Sequence, residues 1–142
     1  MVAVFDASVL VKLFLSEPGS AWAEHAVLRH RVVNAPDLAH LEVASAITRA
    51  SRNGTIAPDD ARRQLAAGRR FATLGNVRFA PLADLQPRAE EWSLDLRHPL
   101  ADCVYLTLAE STNVPLITAD GPFAEKARSR FERVQHLSEF AS

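Results

Sequence analysis

The sequence predicts an α/β domain built on a mainly parallel sheet of about five strands, with helices on both faces. Three observations carry this reading. Short apolar runs bounded by turn residues recur along the chain, too short for helices. Longer stretches with apolar residues at helical spacing separate them. The alternation holds from end to end, which calls for crossover connections and therefore parallel strands. A length of 142 residues fits one domain, 1–142, with no room for a second.

The elements follow in order. Val2–Phe5 is a buried strand ending at Asp6. Ser8–Ser16 reads as a short helix with Ser8 as its cap, stopped by Glu17-Pro18-Gly19. Ser20 can cap a second helix to about His30, with Trp22, Ala26 and Leu28 facing inward. Arg31–Ala35 is the next strand, closed by Pro36. Asp37 stands where a cap belongs, and the helix after it carries Leu38, Leu41, Ala44 and Thr48 on one face, ending near Gly54. Pro58-Asp59-Asp60 opens a helix that ends near Gly75, because proline suits a first turn and acids suit the positive end of the helix dipole. Val77–Ala80 is a third strand. Leu85–Arg97 and Leu100–Ser111 are helices divided by Pro99. Val114–Ala119 is a fourth strand ending at Asp120, Pro122–Phe131 a helix, and Val134–Leu137 a last short strand.

Composition excludes several classes. Hydrophobic residues make up 48% and charged residues 23%, the balance of a water-soluble globular protein. No stretch approaches the roughly 20 apolar residues of a membrane helix. The apolar N-terminus is broken by Asp6 and Lys12 and reads as strand and helix rather than signal peptide. The one cysteine, Cys103, excludes an internal disulfide and a cysteine-based zinc cluster, and it reads as a small packed thiol. A cytoplasmic location is the expectation. The net charge of −1 argues against a strongly basic nucleic-acid surface, unless the acids are gathered in one place. Arginine outnumbers lysine 14 to 2 among the 16 basic residues, the lysines being Lys12 and Lys126.

The acids fall where an α/β sheet builds its sites. Ligands bind such sheets beyond the carboxyl ends of the strands. Asp6 directly follows strand one and Asp120 directly follows strand four. Glu42 lies in the first two turns of the helix after strand two, and Asp102 in the first turn of its helix. Asp6 and Asp120 also suit plain helix caps, Glu42 a solvated helix charge, and Asp102 a partner for the helix dipole. Gathered together, four carboxylates repel, and each raises the others' pKa unless a cation joins them. The natural cation for oxygen ligands is Mg²⁺ or Mn²⁺, which would suit phosphodiester hydrolysis. There is no P-loop, GxGxxG or nucleophile elbow. The five histidines, His25, His30, His40, His98 and His136, form no HExxH pattern and read as surface or structural residues.

At these residues the sequence resembles the PIN-domain family, and within it the VapC-type ribonuclease toxins of bacterial toxin–antitoxin pairs. The matching stretches are VFDASVLVKLFLSEPGS at 4–20, PDLAHLEVASAITRASRNGTI at 36–56, HPLADCVYLTLAE at 98–110 and PLITADGPF at 115–123. The resemblance implies a PIN-like fold and a metal-dependent endoribonuclease that works as a homodimer. It implies that Asp6, Glu42, Asp102 and Asp120 form the catalytic, metal-binding site, with Asp6 and Asp102 foremost. Ser8 and Thr118 match hydroxyl positions that orient this shell. A cognate antitoxin protein is implied as partner. Where many relatives have Tyr-Asp-Ala, this chain has Ala101-Asp102-Cys103; the acid is kept, and local packing or substrate contact is what differs.

Two other functions compete. A response-regulator receiver also gathers acids at strand ends, but it needs an acidic pair after strand one and a lysine after the last strand. An inactive domain that only binds RNA or a partner has no use for the full set of acids. RNA contact is expected from Arg62, Arg63, Arg69 and Arg70, since Arg62–Arg69 and Arg63–Arg70 are seven residues apart and share helix faces. A solvated helix or an antitoxin-facing surface is the plainer account of those arginines.

Overall fold

The protein is described here by a computed structural model covering residues 1–141. Its strands are β1 (Val2–Phe5), β2 (Val32–Pro36), β3 (Val77–Ala80), β4 (Leu116–Thr118) and β5 (Val134–His136). They form one five-stranded sheet in the order β3-β2-β1-β4-β5, and every pairing is parallel. The helices are α1 (Ala7–Leu10), α2 (Ser20–Leu28), α3 (Leu38–Arg52), α4 (Pro58–Ala72), α5 (Leu82–Leu96), α6 (Leu100–Thr112) and α7 (Gly121–Arg128). Short 3-10 turns follow α1 and β5.

The central strand is the most apolar. Ala3, Val4 and Phe5 of β1 are fully buried, beside Leu116 and Ile117 of β4. Tyr105 and Leu106 of α6 and Phe123 of α7 complete the middle of the core. Each large side chain so buried contributes about 1.5–3 kcal/mol, which fixes β1 and β4 as the rigid base of whatever their ends carry. Helices α5 and α6 are also tied by polar groups. Arg88 donates to both carboxylate oxygens of Glu110, and the Trp92 indole N–H donates to Oε1 of the same residue at 3.1 Å. No helix among the described residues is long and apolar enough to cross a membrane.

Several local expectations are corrected. The Ser8–Ser16 helix is one α turn and a 3-10 turn, and its N-cap position is Asp6 rather than Ser8. The α2 cap position is Gly19, at φ 90°, a left-handed value that glycine adopts without strain. Ser20 instead donates to the Leu15 carbonyl and closes the preceding turn. Only Ala23 and Ala26 of α2 are buried; Trp22 is exposed and Leu28 is 84% exposed. The inward face of α3 is Leu38, as expected, with Ala39, Val43 and Ile47, while Leu41 and Thr48 are exposed. Asp37 does not cap α3: its Oδ1 accepts from the Leu82 N–H and so caps α5. Helix α5 begins three residues earlier than Leu85 and β4 is shorter than Val114–Ala119.

Candidate active site

Sheet order places the site. The chain moves outward from β1 through β2 to β3, then returns to the other side of β1 as β4. The switch point therefore lies between β1 and β4, where adjacent connections depart in opposite directions and leave a crevice. Asp6 follows β1 directly, and Thr118 ends β4 two residues before Asp120. The first turn of α6 supplies Asp102, and the second turn of α3 supplies Glu42.

Asp6 is only 2% exposed, yet its side chain does not cap α1. Its Oδ2 accepts from the Ser8 hydroxyl at 2.7 Å and the Thr118 hydroxyl at 2.8 Å. Those hydroxyls are fixed in turn. Ser8 Oγ accepts from the Ala119 N–H, and Thr118 Oγ1 accepts from the Asp120 N–H. Burial, with Asp102 and Glu42 nearby, pushes the Asp6 carboxyl up to about 7 against the opposing pull of the two hydroxyls. Glu42 is raised as well, by burial and by Asp102, although its Oε1 accepts from the Tyr105 hydroxyl at 2.7 Å. Asp6 and Glu42 thus both respond to the charge of Asp102.

Asp120 has two duties. Its Oδ1 accepts from the Phe123 N–H and caps α7, as the plainer reading of this residue held. One ligand atom each from His98, Asp102 and Asp120 also lie within 4.8 Å of one another. His98 and Tyr105 are the residues that sequence reasoning missed. The signal for His98 was its place four residues before Asp102. Tyr105 gave none, because its partner is 63 residues away. His30 does fit the structural reading: it is buried, bonds the Ala26 carbonyl and packs edge-on against Phe5. Cys103 is buried as expected, and burial and Asp102 push its thiol up to about 11, which keeps it protonated at neutral pH.

A groove opens beside Asp120, lined also by Ser8, Lys12, Arg49 and Asn53 among others. None of Arg62, Arg63, Arg69 and Arg70 lines it. Arg62 and Arg63 are exposed and paired with Asp59 and Asp60, and Arg69 borders a separate apolar cavity of about 110 Å³ between α3, α4 and the sheet.

The PIN-domain family model matches residues 3–129, from β1 through α7. The chain belongs to the PIN-domain family. This PIN domain is 38% identical over 123 residues to Ribonuclease VapC12 of Mycobacterium tuberculosis, covering 86% of this chain and 89% of that one. Its fold is similar to that of M. tuberculosis VapC20, a Sarcin-Ricin loop cleaving toxin, with a TM-score of 0.72 at 15% identity over 91% of this chain and 95% of that chain. It is also similar to a chain of VapBC2 from Rickettsia felis, solved with a DNA fragment from their promoter, with a TM-score of 0.63 at 12% identity over 96% and 98% of the two chains. Family membership removes the receiver alternative. The lysine that alternative requires after the last strand is absent from that position: Lys126 lies on α7, before β5.

Proposed function

We propose that this PIN domain is a metal-dependent endoribonuclease, the toxin of a toxin–antitoxin pair. The observation that carries the proposal is the crowding of carboxylates at the switch point, where Asp102 lies close enough to raise the proton affinity of both Asp6 and Glu42, and Glu42 that of Asp6. A structural role gives no reason to concentrate like charge there. A divalent cation does, because it offsets that repulsion. The donor set fits Mg²⁺ or Mn²⁺, since carboxylate oxygens are hard ligands. Asp6, Glu42, Asp102 and Asp120 are the residues proposed to hold it. When bound, such an ion supplies positive charge for phosphoryl oxygens and eases deprotonation of water.

The chain's own groups do the positioning. Ser8 and Thr118 hold one oxygen of Asp6, and Tyr105 holds one oxygen of Glu42. Their hydroxyls are locked by backbone and by core packing, so the carboxylates stay in place without reorganising. The groove beside Asp120 offers RNA a path to the acids, with Arg49 on its wall. The arginines of α4 are proposed as an outer RNA contact. An antitoxin and a second copy of this chain are the proposed protein partners, and the VapC relatives support both the RNA substrate and the antitoxin.

Cleavage of a synthetic RNA by the purified chain tests the reading. Activity should vanish in excess EDTA and return when Mg²⁺ or Mn²⁺ is titrated back. Cleavage that persists unchanged in EDTA contradicts it.

A further inference from the structure

We infer that His98 is a positioning residue that fixes the Asp102 carboxylate for its cation, acting through an N–H bond and not as a ligand itself. The inference rests on the metal site proposed above. His98 Nε2 lies 2.6 Å from Asp102 Oδ2. An ionised carboxylate can only accept, so Nε2 carries the proton and has no lone pair left for a metal. The other ring nitrogen agrees. Lys126 Nζ lies 3.4 Å from His98 Nδ1, and an ammonium can only donate, so Nδ1 is the acceptor. Together these contacts place the donor N–H at Nε2, facing Asp102.

The ring is held firmly. Its side chain is 8% exposed and stacks on Phe123 at a centroid distance of 4.7 Å and an interplanar angle of 17°. The loop beneath it is pinned as well. Arg97 takes a left-handed conformation at φ 52°, its carbonyl accepts from Lys126, and the Ser93 hydroxyl donates to the His98 carbonyl at 2.6 Å. A non-glycine residue in that region is uncommon, and here two hydrogen bonds hold the turn. The result is one oxygen of Asp102 tied to the protein and the other left for the cation. Hydrogen bonds of this kind to ligating carboxylates orient the ligand, and losing them typically costs about 10–100-fold in metal affinity.

Two substitutions separate the N–H from the ring. His98→Phe keeps an aromatic ring against Phe123 and removes the donor. His98→Gln loses the stack but places an amide N–H near the Nε2 position. Mn²⁺ binding by the full chain, read by electron paramagnetic resonance without RNA, should weaken about 10–100-fold in His98→Phe. It should stay near wild type in His98→Gln. The bound-Mn²⁺ signal of the wild type should show no directly coordinated nitrogen. Wild-type affinity in His98→Phe overturns the inference, and so does nitrogen coupling that vanishes in both variants, since that marks His98 as a ligand. Asp102→Asn serves as the control for the site. If it binds Mn²⁺ as wild type does, or if wild type binds none, the metal site itself fails and the inference falls with it. If Asp102→Asn loses Mn²⁺ while His98→Phe does not, only the role of His98 fails.

Discussion

Asp6 shows how a single residue can work against the fold that holds it. An ordinary aspartate titrates near 3.8, whereas burial and two neighbouring carboxylates push Asp6 to about 7. The folded chain therefore keeps a proton there that the unfolded chain gives up between roughly pH 4 and pH 7. A raised folded pKa means stability that is fully present below about 4 and lost as pH rises through 7. Asp6→Asn removes the charge and keeps an oxygen to accept from Ser8 and Thr118. In EDTA, the melting temperature of wild type should fall relative to Asp6→Asn between pH 4 and pH 7, leaving the variant the more stable above pH 7. Parallel curves would show that Asp6 is not under this strain. The position of Asp6 was legible in the sequence, because an acid directly after an apolar strand is a local feature. Its hydroxyl partners were named only through the family resemblance: Thr118 lies 112 residues away, and spacing has no access to that distance. His98 was read only as a surface or structural residue, because its contact with Asp102 depends on the left-handed turn at Arg97, which spacing alone does not reveal.

At the scale of elements, the sequence gives existence and order well and faces poorly. All five strands and all seven helices lie close to where turn residues and apolar runs put them. The faces of α2 and α3 were assigned only in part because alanine is abundant. Ala26 and Leu38 pack inward as expected, but a small apolar residue fits an interior as readily as a leucine, so Ala23 and Ala39 also take buried positions while Leu28 and Leu41 face solvent. The same limit applies to α4. Seven-residue spacing puts its arginines on shared faces but does not say what those faces meet. Arg62 and Arg63 meet the acids of their own first turn, whereas Arg49 of α3 lines the groove beside Asp120. RNA binding by an Asp6→Asn chain across a salt series distinguishes the two helices. Each lost phosphate contact should flatten the log–log slope by about 0.7. Arg49→Ala should lower affinity and flatten the slope by that amount. The Arg63→Ala, Arg70→Ala pair should flatten it by about 1.4 if α4 touches phosphates. No change in the pair with a change in Arg49→Ala would confine RNA to the groove, and no change in either would contradict both assignments.

On the scale of the whole molecule, topology joins the residues into one site. Only a sheet that reverses direction beside its central strand brings the end of β1, the end of β4 and the first turns of α3 and α6 to a common crevice. The carboxylates then belong to segments from residue 6 to residue 120, and their crowding is a property of the folded chain alone. The central claim is that this crowding serves hydrolysis of RNA. The most direct measurement is single-turnover cleavage of a synthetic RNA by wild type and by Asp102→Asn at one Mn²⁺ concentration that saturates the wild type, with circular dichroism as the control for folding. Asp102→Asn removes one negative charge from the crevice and changes little else in shape. The rate should fall by about a thousandfold or more, the scale expected when a group acting on developing charge is removed. A folded Asp102→Asn chain that cleaves RNA at the wild-type rate would contradict the account.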